Sequence, residues 1–436
     1  MTQPLAPTHV GNHELDAILD QIAARQAHLD RFHKAWTGTS PASYLSAKSR
    51  EALDAKLSRL GVNFPRLAVQ ALAERQTLSG INTPDGTLWE KFTKAGGREL
   101  AELVHTDRLL YGSAYVTVWA TETGQPTLTG DSAHTMMHEQ DPATGEVTLA
   151  ARVWHPTASS TRIAVYKPDH VAIYAGDSAT PTSHGLKRIK TVDNPLGVVP
   201  VVPFVRRMSL ADPITGASAV EDLLDLTDAV AKILNDAMVT SEFHARPRRW
   251  ATGLEIEEDE DGKPVDPFGE GRFLQSEDPD TRFGQLDGAR LDGYSDMLAT
   301  LTQQIGALSG LPAHYLGLHG DQPASADGIR AAEAQLTARA SSEQRHTQNE
   351  WQQVGWLLDA VSKGIPADQS ALSNVSVTWE SPETSSPAMQ ADAAAKLRGI
   401  GVPLEAVLTD QLGYEPDVAR KIAESARVEQ VLGGLQ

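Results

Sequence analysis

The pattern of apolar and polar positions changes period twice along the chain. From Leu15 to Trp36, apolar residues at Leu15, Ile18, Leu19, Ile22, Leu29 and Phe32 recur every three or four positions, which predicts an amphipathic helix. Similar spacing predicts helices over about Ser46 to Leu60, stopping at Gly61, over Pro65 to Leu78, stopping at Gly80, and over Leu88 to Leu110, ending in a turn at Gly112. A period of two then takes over. Ala114 to Thr121 is rich in β-branched and aromatic residues, and Val147 to His155, Thr161 to Tyr166 and Val171 to Tyr174 read as further strands. The block 112–205 is therefore expected to be a small β domain. It is closed by the run PLGVVPVVPF, whose prolines allow strand or extended core but no helix.

Helical spacing returns after Pro213, which is expected to open a long helix. Its narrow apolar seam is Leu223, Leu226, Val230, Ile233, Ala237 and Met238, and Glu221, Asp222, Asp225, Asp228, Asp236 and Glu242 occupy the other faces with Lys232. A second helix, about Leu291 to Leu308, carries Leu291, Tyr294, Leu298, Leu301, Ile305 and Leu308 on one face. The shortest closure between the two makes an antiparallel hairpin. Arg246, Arg248 and Arg249 end its first helix, and its tip is a segment in which Glu255 to Asp280 holds 11 acids against 2 bases. A Gly- and Pro-punctuated loop follows, then a long helix from Ser325 to about Lys363, a strand at Val375 to Trp379, and helices at about Ala388 to Arg398 and Val418 to Leu432. The fold class is α+β, mainly helical.

Composition narrows the chemistry. At 436 residues the chain has room for two to four domains at roughly 100–200 residues each. Apolar residues at 40% exclude global disorder, and the lack of cysteine excludes disulfides, thiolate metal sites and a cysteine nucleophile. A formal charge of -19 argues against a protein that wraps nucleic acid with its whole surface. With no basic leader at the N-terminus and no long apolar run, a soluble protein made inside the cell, away from membranes, is expected.

Motifs for catalysis are missing: there is no GxxxxGK[ST] loop, no GxSxG elbow and no HExxH helix. Glu257, Asp259, Asp261 and Gly262 mimic the first ligand positions of a calcium loop, but Phe268 stands where a bidentate Glu is required and Pro264 interrupts the run. His314, His319 and Asp321 have a weak metal spacing in a Gly-rich loop. No catalytic residue, metal or cofactor is therefore expected. A phosphohydrolase or nuclease using carboxylate-bound metal at residues 255–261, and an acidic adaptor for a basic partner, are the competing readings.

Four stretches, in this order and spacing, resemble the portal proteins of tailed bacteriophages, of the type found in siphophages of Gram-positive and actinobacterial hosts. DRLLYGSAYVTVW (107–119) is similar to their helix-to-strand passage into the β domain, and VVPFVRR followed by 212–250 to their strand and first stem helix. Residues 307–336 are similar to their tunnel loop and the helix behind it, and 377–397 to the strand and helix leading to their crown.

The resemblance implies a homo-oligomeric ring, usually of twelve copies, at one capsid vertex. Double-stranded DNA passes along its axis during packaging and ejection. The ring is assembled in the host cytoplasm and carried in the virion. Its implied partners are the terminase large subunit, the head-tail connector or adaptor, and the major capsid and scaffolding proteins. It also implies a division into an N-terminal helical part of the wing (1–111), a β-rich wing domain (112–208), a first stem helix (209–245), a clip (246–289), a second stem helix (290–309), a tunnel loop (310–324), a long wing helix and strand (325–380) and a helical crown (381–436).

Residues follow from matched positions. Leu311, His314, Tyr315, Leu316 and His319 are expected to face the tunnel, and Leu223, Leu226, Val230, Ile233, Leu298, Leu301 and Ile305 to pack the stem. Arg246, Arg248 and Arg249 are expected to form a basic cluster of the clip. Glu255, Glu257, Glu258, Asp259, Glu260 and Asp261 are expected to dock the motor or connector. The acidic balance agrees, since a passage that held phosphate strongly would brake sliding.

Overall fold

The computed structural model of the chain describes residues 11–40, 62–84, 86–244, 249–253, 278–285, 291–318, 325–384, 387–414 and 416–433. The helix expected over Ser46 to Leu60 lies outside them. Helix α1 (Asn12–Thr37) matches its expected span and ends on Gly38. It lays Leu15, Ile18 and Ile22 on one face of a five-stranded sheet.

That sheet is an antiparallel meander of β4 (Met136–Gln140), β5 (Val147–Thr157), β6 (Ser160–Tyr166), β7 (His170–Gly176) and β8 (Lys187–Asp193). Its alternation sends Met137, Leu149, Ala151, Ile163 and Val165 under α1, while Met136 and Ala150 pack on the other face with Tyr115, Val199 and Val201. Beside it lies a three-stranded sheet in which β2 (Ser113–Ala120) runs between β3 (Pro126–Ser132) and β9 (Val201–Val205). The expected β domain is thus present, and the Pro-rich run supplies β9 as an edge strand, where proline removes no needed donor.

Two helical boundaries differ from expectation. The helix expected to reach Leu78 ends earlier, as α2 (Phe64–Ala73), and the next residues form β1 (Leu78–Asn82). Gly80 is therefore inside a strand, paired with Thr378 of β12 (Ser376–Trp379) across nearly 300 residues of sequence. The helix expected over Leu88 to Leu110 is two, α3 (Leu88–Lys94) and α4 (Gly97–Tyr111), broken where Gly96 adopts a left-handed conformation. Helix α3 aims Leu88, Trp89 and Phe92 into the largest core, where they meet Val116, Val202, Phe204, Trp351, Val354 and Leu358.

The second core joins helices distant in sequence. Leu29 and Phe32 of α1, Val69 and Leu72 of α2 and Leu109 of α4 pack with Val220, Leu223, Leu224, Val230, Ile305, Leu311, Leu336 and Ala340. The hairpin enters here. Its first helix, α5 (Leu224–His244), is preceded by a short 3-10 turn at Glu221–Leu223. Pro213 does not open it; residues 206–217 form a loop instead. After α5 come the ribbon strands β10 (Arg249–Thr252) and β11 (Arg282–Gln285), paired antiparallel, and then α6 (Asp292–Ser309).

Helix α7 (Ala326–Lys363) crosses both cores. It starts on Ser325, whose hydroxyl accepts from the Gly328 amide at 3.1 Å. The chain finishes with α8 (Pro387–Gly399), a short helical unit at Leu404–Ala406 that continues as a π turn through Gln411, and α9 (Pro416–Gly433). The expected terminal helices are present; the unit between them carries no clear period and was not expected.

Candidate functional site

The hairpin, the loop after it and the stretch of α7 behind them form one mechanical unit. Near the protomer body, Leu223, Val230 and Ile305 are buried, and Leu226, Leu298 and Leu301 pack against the same core; Ile233 is buried further along α5. At the far end the Thr240 and Tyr294 hydroxyls meet at 3.1 Å, which sets the two helices antiparallel. The middle of the expected seam is therefore consumed within the protomer. Its outer members are not: Met238, Leu291 and Leu308, together with Met297, are each about half exposed.

The loop after α6 is held by a carboxylate. Residues Ala313–Leu316 make a single 3-10 turn. The Tyr315 hydroxyl donates to Glu333 Oε1 at 3.2 Å and accepts from Arg75 at 3.1 Å, and Arg75 reaches Glu333 Oε2 at 3.3 Å. His314 Nε2 lies 3.6 Å from the same carboxylate, and the Thr384 hydroxyl donates to it. Burial pushes the Glu333 carboxyl up, but the Thr384 hydrogen bond, the Arg75 charge and the Tyr315 hydroxyl together hold it below its ordinary value. The loop, α2, α7 and the segment before α8 thus converge on one ionised group.

A second carboxylate on α7 is enclosed more completely. Glu343 receives Arg108 at 2.6 Å on one oxygen and Arg206 at 2.9 Å on the other. Arg108 is fully buried and Glu343 is 3% exposed. Burial raises the Glu343 carboxyl; the charges of Arg108 and Arg206 and their hydrogen bonds outweigh that and lower it. Arg206 also donates to the Ala217 carbonyl at 3.1 Å, so α4, β9, the loop before the hairpin and α7 meet at this group. Nearby, His105 accepts the Trp351 indole N–H at 2.9 Å; burial, with the Arg108 charge, pushes it down to about 3, which keeps it neutral.

The expected site residues separate on this geometry. Leu311 is 5% exposed and belongs to the helical core, so it offers no surface to a passage. Tyr315 is an anchor rather than a lining group, while His314 and Leu316 are partly exposed on the same turn. His319 and Asp321 lie outside the described residues, as do Arg246, Arg248, Glu255, Glu257, Glu258, Asp259, Glu260 and Asp261. Arg249 does not end the first helix, which stops at His244; it opens β10.

Sequence reasoning missed Arg75, Arg108, Arg206, Glu333 and Glu343. A signal existed. Positions 333, 336, 340, 343, 347, 351, 354 and 358 form one buried stripe of α7, and two of them are Glu. An acid on an apolar stripe requires buried partners.

Among the described residues no group of three or more His, Asp or Glu side chains is placed to hold a metal ion, and no helix is long and apolar enough to cross a membrane. A cleft of about 710 Å³ opens between the β1–β12 ribbon and the terminal helices, lined by Trp89, Arg98, Trp379, Met389 and Tyr414 among others.

The described residues thus form a helical hairpin rooted in a helix-sheet body whose elements are tied to one another by buried charges. The chain belongs to the phage portal protein family: residues 40–429 match the family described as "Phage portal protein, SPP1 Gp6-like". It is 30% identical to the portal protein of Mycobacterium phage D29 over 81% of this chain and 76% of that one, and 28% identical to that of Mycobacterium phage L5 over 92% and 87%. These are structural proteins of bacteriophages and not enzymes, which is the class the sequence resemblance indicated.

Two solved chains of similar fold come from the virion of the native gene transfer agent (GTA) particle and from its neck, the latter computed with C12 symmetry. Each has a TM-score of 0.49 at 14% identity, covering 88% and 90% of this chain and 92% and 94% of the other.

Proposed function

We propose that copies of this chain close head to tail into a ring of twelve at one vertex of a phage capsid, with DNA passing along the axis during packaging and ejection. The carrying observation is the hairpin. The middle of its apolar seam is used inside the protomer, yet Met238, Leu291 and Leu308 of that seam, with Met297, remain about half exposed on a portal-family chain, where a neighbouring copy would cover them. In this reading α5 and α6 are the stem, residues 246–289 the clip, the body built on α1, the sheets and α7 the wing, and residues 381–436 the crown. The ring rides in the virion after assembly in the host cytoplasm, seated among capsid and scaffolding proteins.

The turn at Ala313–Leu316, with His319 beyond it, faces the channel. His314, Leu316 and His319 offer neutral or apolar groups that touch DNA without holding phosphate, and Tyr315 fixes the turn from behind. The clip docks the terminase large subunit and later the head-tail connector. There the six acids from Glu255 to Asp261 act as a collar that steers a basic surface and repels DNA from the rim, and Arg246, Arg248 and Arg249 offset it.

Mass of the purified assembly, with averaged images of negatively stained particles, tests the ring: twelve-fold particles are expected, and a monomer with metal-dependent nuclease activity would establish the competing reading. Val230→Asp would bury an unpaired carboxylate in both hairpin and body, so it should lower protomer stability by about 3 kcal/mol as well as prevent assembly. Neutralising the six acids to Asn and Gln should slow motor docking and flatten its salt dependence, with ring mass unchanged; identical kinetics at two ionic strengths would reduce the run to a solubilising surface.

A further inference from the structure

Residues 206–217 join β9 to the hairpin through a loop whose neck is closed. The Ala217 amide donates to the Arg206 carbonyl at 2.9 Å, and the Arg206 amide and the Ser218 hydroxyl bind the Gly112 and Leu110 carbonyls at 2.8 and 2.6 Å. The approach is so close that a Cβ on Gly216 would stand 2.0 Å from the Gly112 carbonyl oxygen, and both glycines are left-handed. The tip is tied as well. Asp212 accepts from the amides of Met208 and Ser209 at 2.6 and 3.0 Å, and Arg207 donates to the Leu210 carbonyl at 3.0 Å.

This is a compact loop with near-touching ends, a form that is often functional. Its tip nevertheless puts three large apolar side chains in water: Leu210 is 98% exposed, Ile214 57% and Met208 54%. A fixed backbone that holds apolar groups outward has already lost the entropy that a docking contact would otherwise cost.

Charge selects the partner. Arg206 is committed to Glu343, so the exposed part of the loop carries Arg207 and Asp212, one charge of each sign, on a chain of formal charge -19. Two copies of such a chain repel over most of their surface, and a near-neutral apolar tip is where they approach at least electrostatic cost. DNA phosphate would need free cations here, and a basic protein would favour the acidic surfaces elsewhere. A head-to-tail ring gives every copy one such tip and one surface to receive it, so none is left uncovered.

We infer that the 206–217 loop is an interlocking knob, with Met208, Leu210 and Ile214 buried against the adjacent copy of this chain. The inference rests on the ring reading and adds the residues that close it.

The chain has no cysteine, so Leu210→Cys provides a single thiol in the whole 436-residue chain. Its alkylation by a maleimide should slow at least tenfold when rings assemble, and Ile214→Cys should behave likewise if the first variant assembles poorly. Leu210→Asp should raise the protein concentration needed for half-assembly about tenfold with unchanged circular dichroism, since the tip makes no core contact. Rings that form while the thiols react as fast as in dissociated chains would overturn the knob and leave the ring intact. A parent chain that never assembles would overturn both.

Discussion

Glu333 and Glu343 lie ten residues apart on one buried stripe of α7, yet they do different work. Glu343 is held between two guanidinium groups, the fully buried Arg108 and the partly buried Arg206. Glu333 has one guanidinium, Arg75, and otherwise neutral or partly exposed donors: the Tyr315 and Thr384 hydroxyls and His314. The first group binds secondary-structure elements whose positions define the body. The second binds a surface turn. A buried acid with full counter-charge is therefore a fold lock, and one answered mainly by hydroxyls is a latch on a loop.

The sharpest way to break this comparison is at the lock. Glu343→Ala leaves the buried Arg108 and the partly buried Arg206 facing each other without an anion, and should cost about 3 kcal/mol in chemical denaturation. Replacing Arg108, Glu343 and Arg206 together with apolar residues of similar size should recover most of that loss. A single Glu343→Ala chain as stable as the parent would show that the triad is not a lock.

A third acid on the same helix supplies a control of opposite sign. Glu350, two turns beyond Glu343, makes no ion pair among the described residues, and burial outweighs the Arg108 charge to push its carboxyl up to about 7 from 4.5. A carboxyl raised in the folded state favours folding less as pH rises from 4.5 through 7, because the folded chain then gives up a proton it holds more tightly than the unfolded chain does. Glu350→Gln should therefore stabilise the protein by about 3 kcal/mol at pH 8 and make almost no difference at pH 4. Thermal unfolding at the two values measures it.

The smallest effect is expected at the latch. Tyr315→Phe removes one hydrogen bond to Glu333 and one from Arg75, about 1 kcal/mol, with the unfolding midpoint hardly moved. Amide exchange at 313–318 should quicken while α7 stays protected. Glu333 is depressed, so its hold is present above 4.5 and is lost as pH falls through its lowered folded value; the parent turn should loosen under that acid condition even though the body persists. Equal protection of the turn in parent and variant would make Tyr315 mere packing.

Period and composition alone were enough for α1, the three middle strands of the meander, the bodies of both hairpin helices and the long α7, because each buries one face over many residues and the apolar spacing repeats; the flanking strands at Met136–Gln140 and Lys187–Asp193 were not expected. The ordered resemblance of four stretches likewise identified the portal family without any contact being known. Where burial comes from a distant partner, the chain's local pattern is silent. The strand at Leu78–Asn82 looks like the end of a helix until β12 arrives to pair with it, and the break between α3 and α4 turns on one left-handed glycine.

The site divides in the same way. The seam of the hairpin was visible as spacing, but spacing cannot say whether a neighbour or the protomer's own body covers it; the tertiary structure places Leu223, Val230 and Ile305 inside and leaves Met238, Leu291 and Leu308 half exposed. Nor can it reveal that Arg75, Arg108 and Arg206 converge on α7, since buried charge pairs are formed by residues more than a hundred positions apart. Amphipathic elements and family are properties of local order along the chain, and the sequence determined them. Which acids are neutralised, which apolar groups remain in water at 208–214, and which loop is latched depend on long-range packing, and only the folded structure decided them.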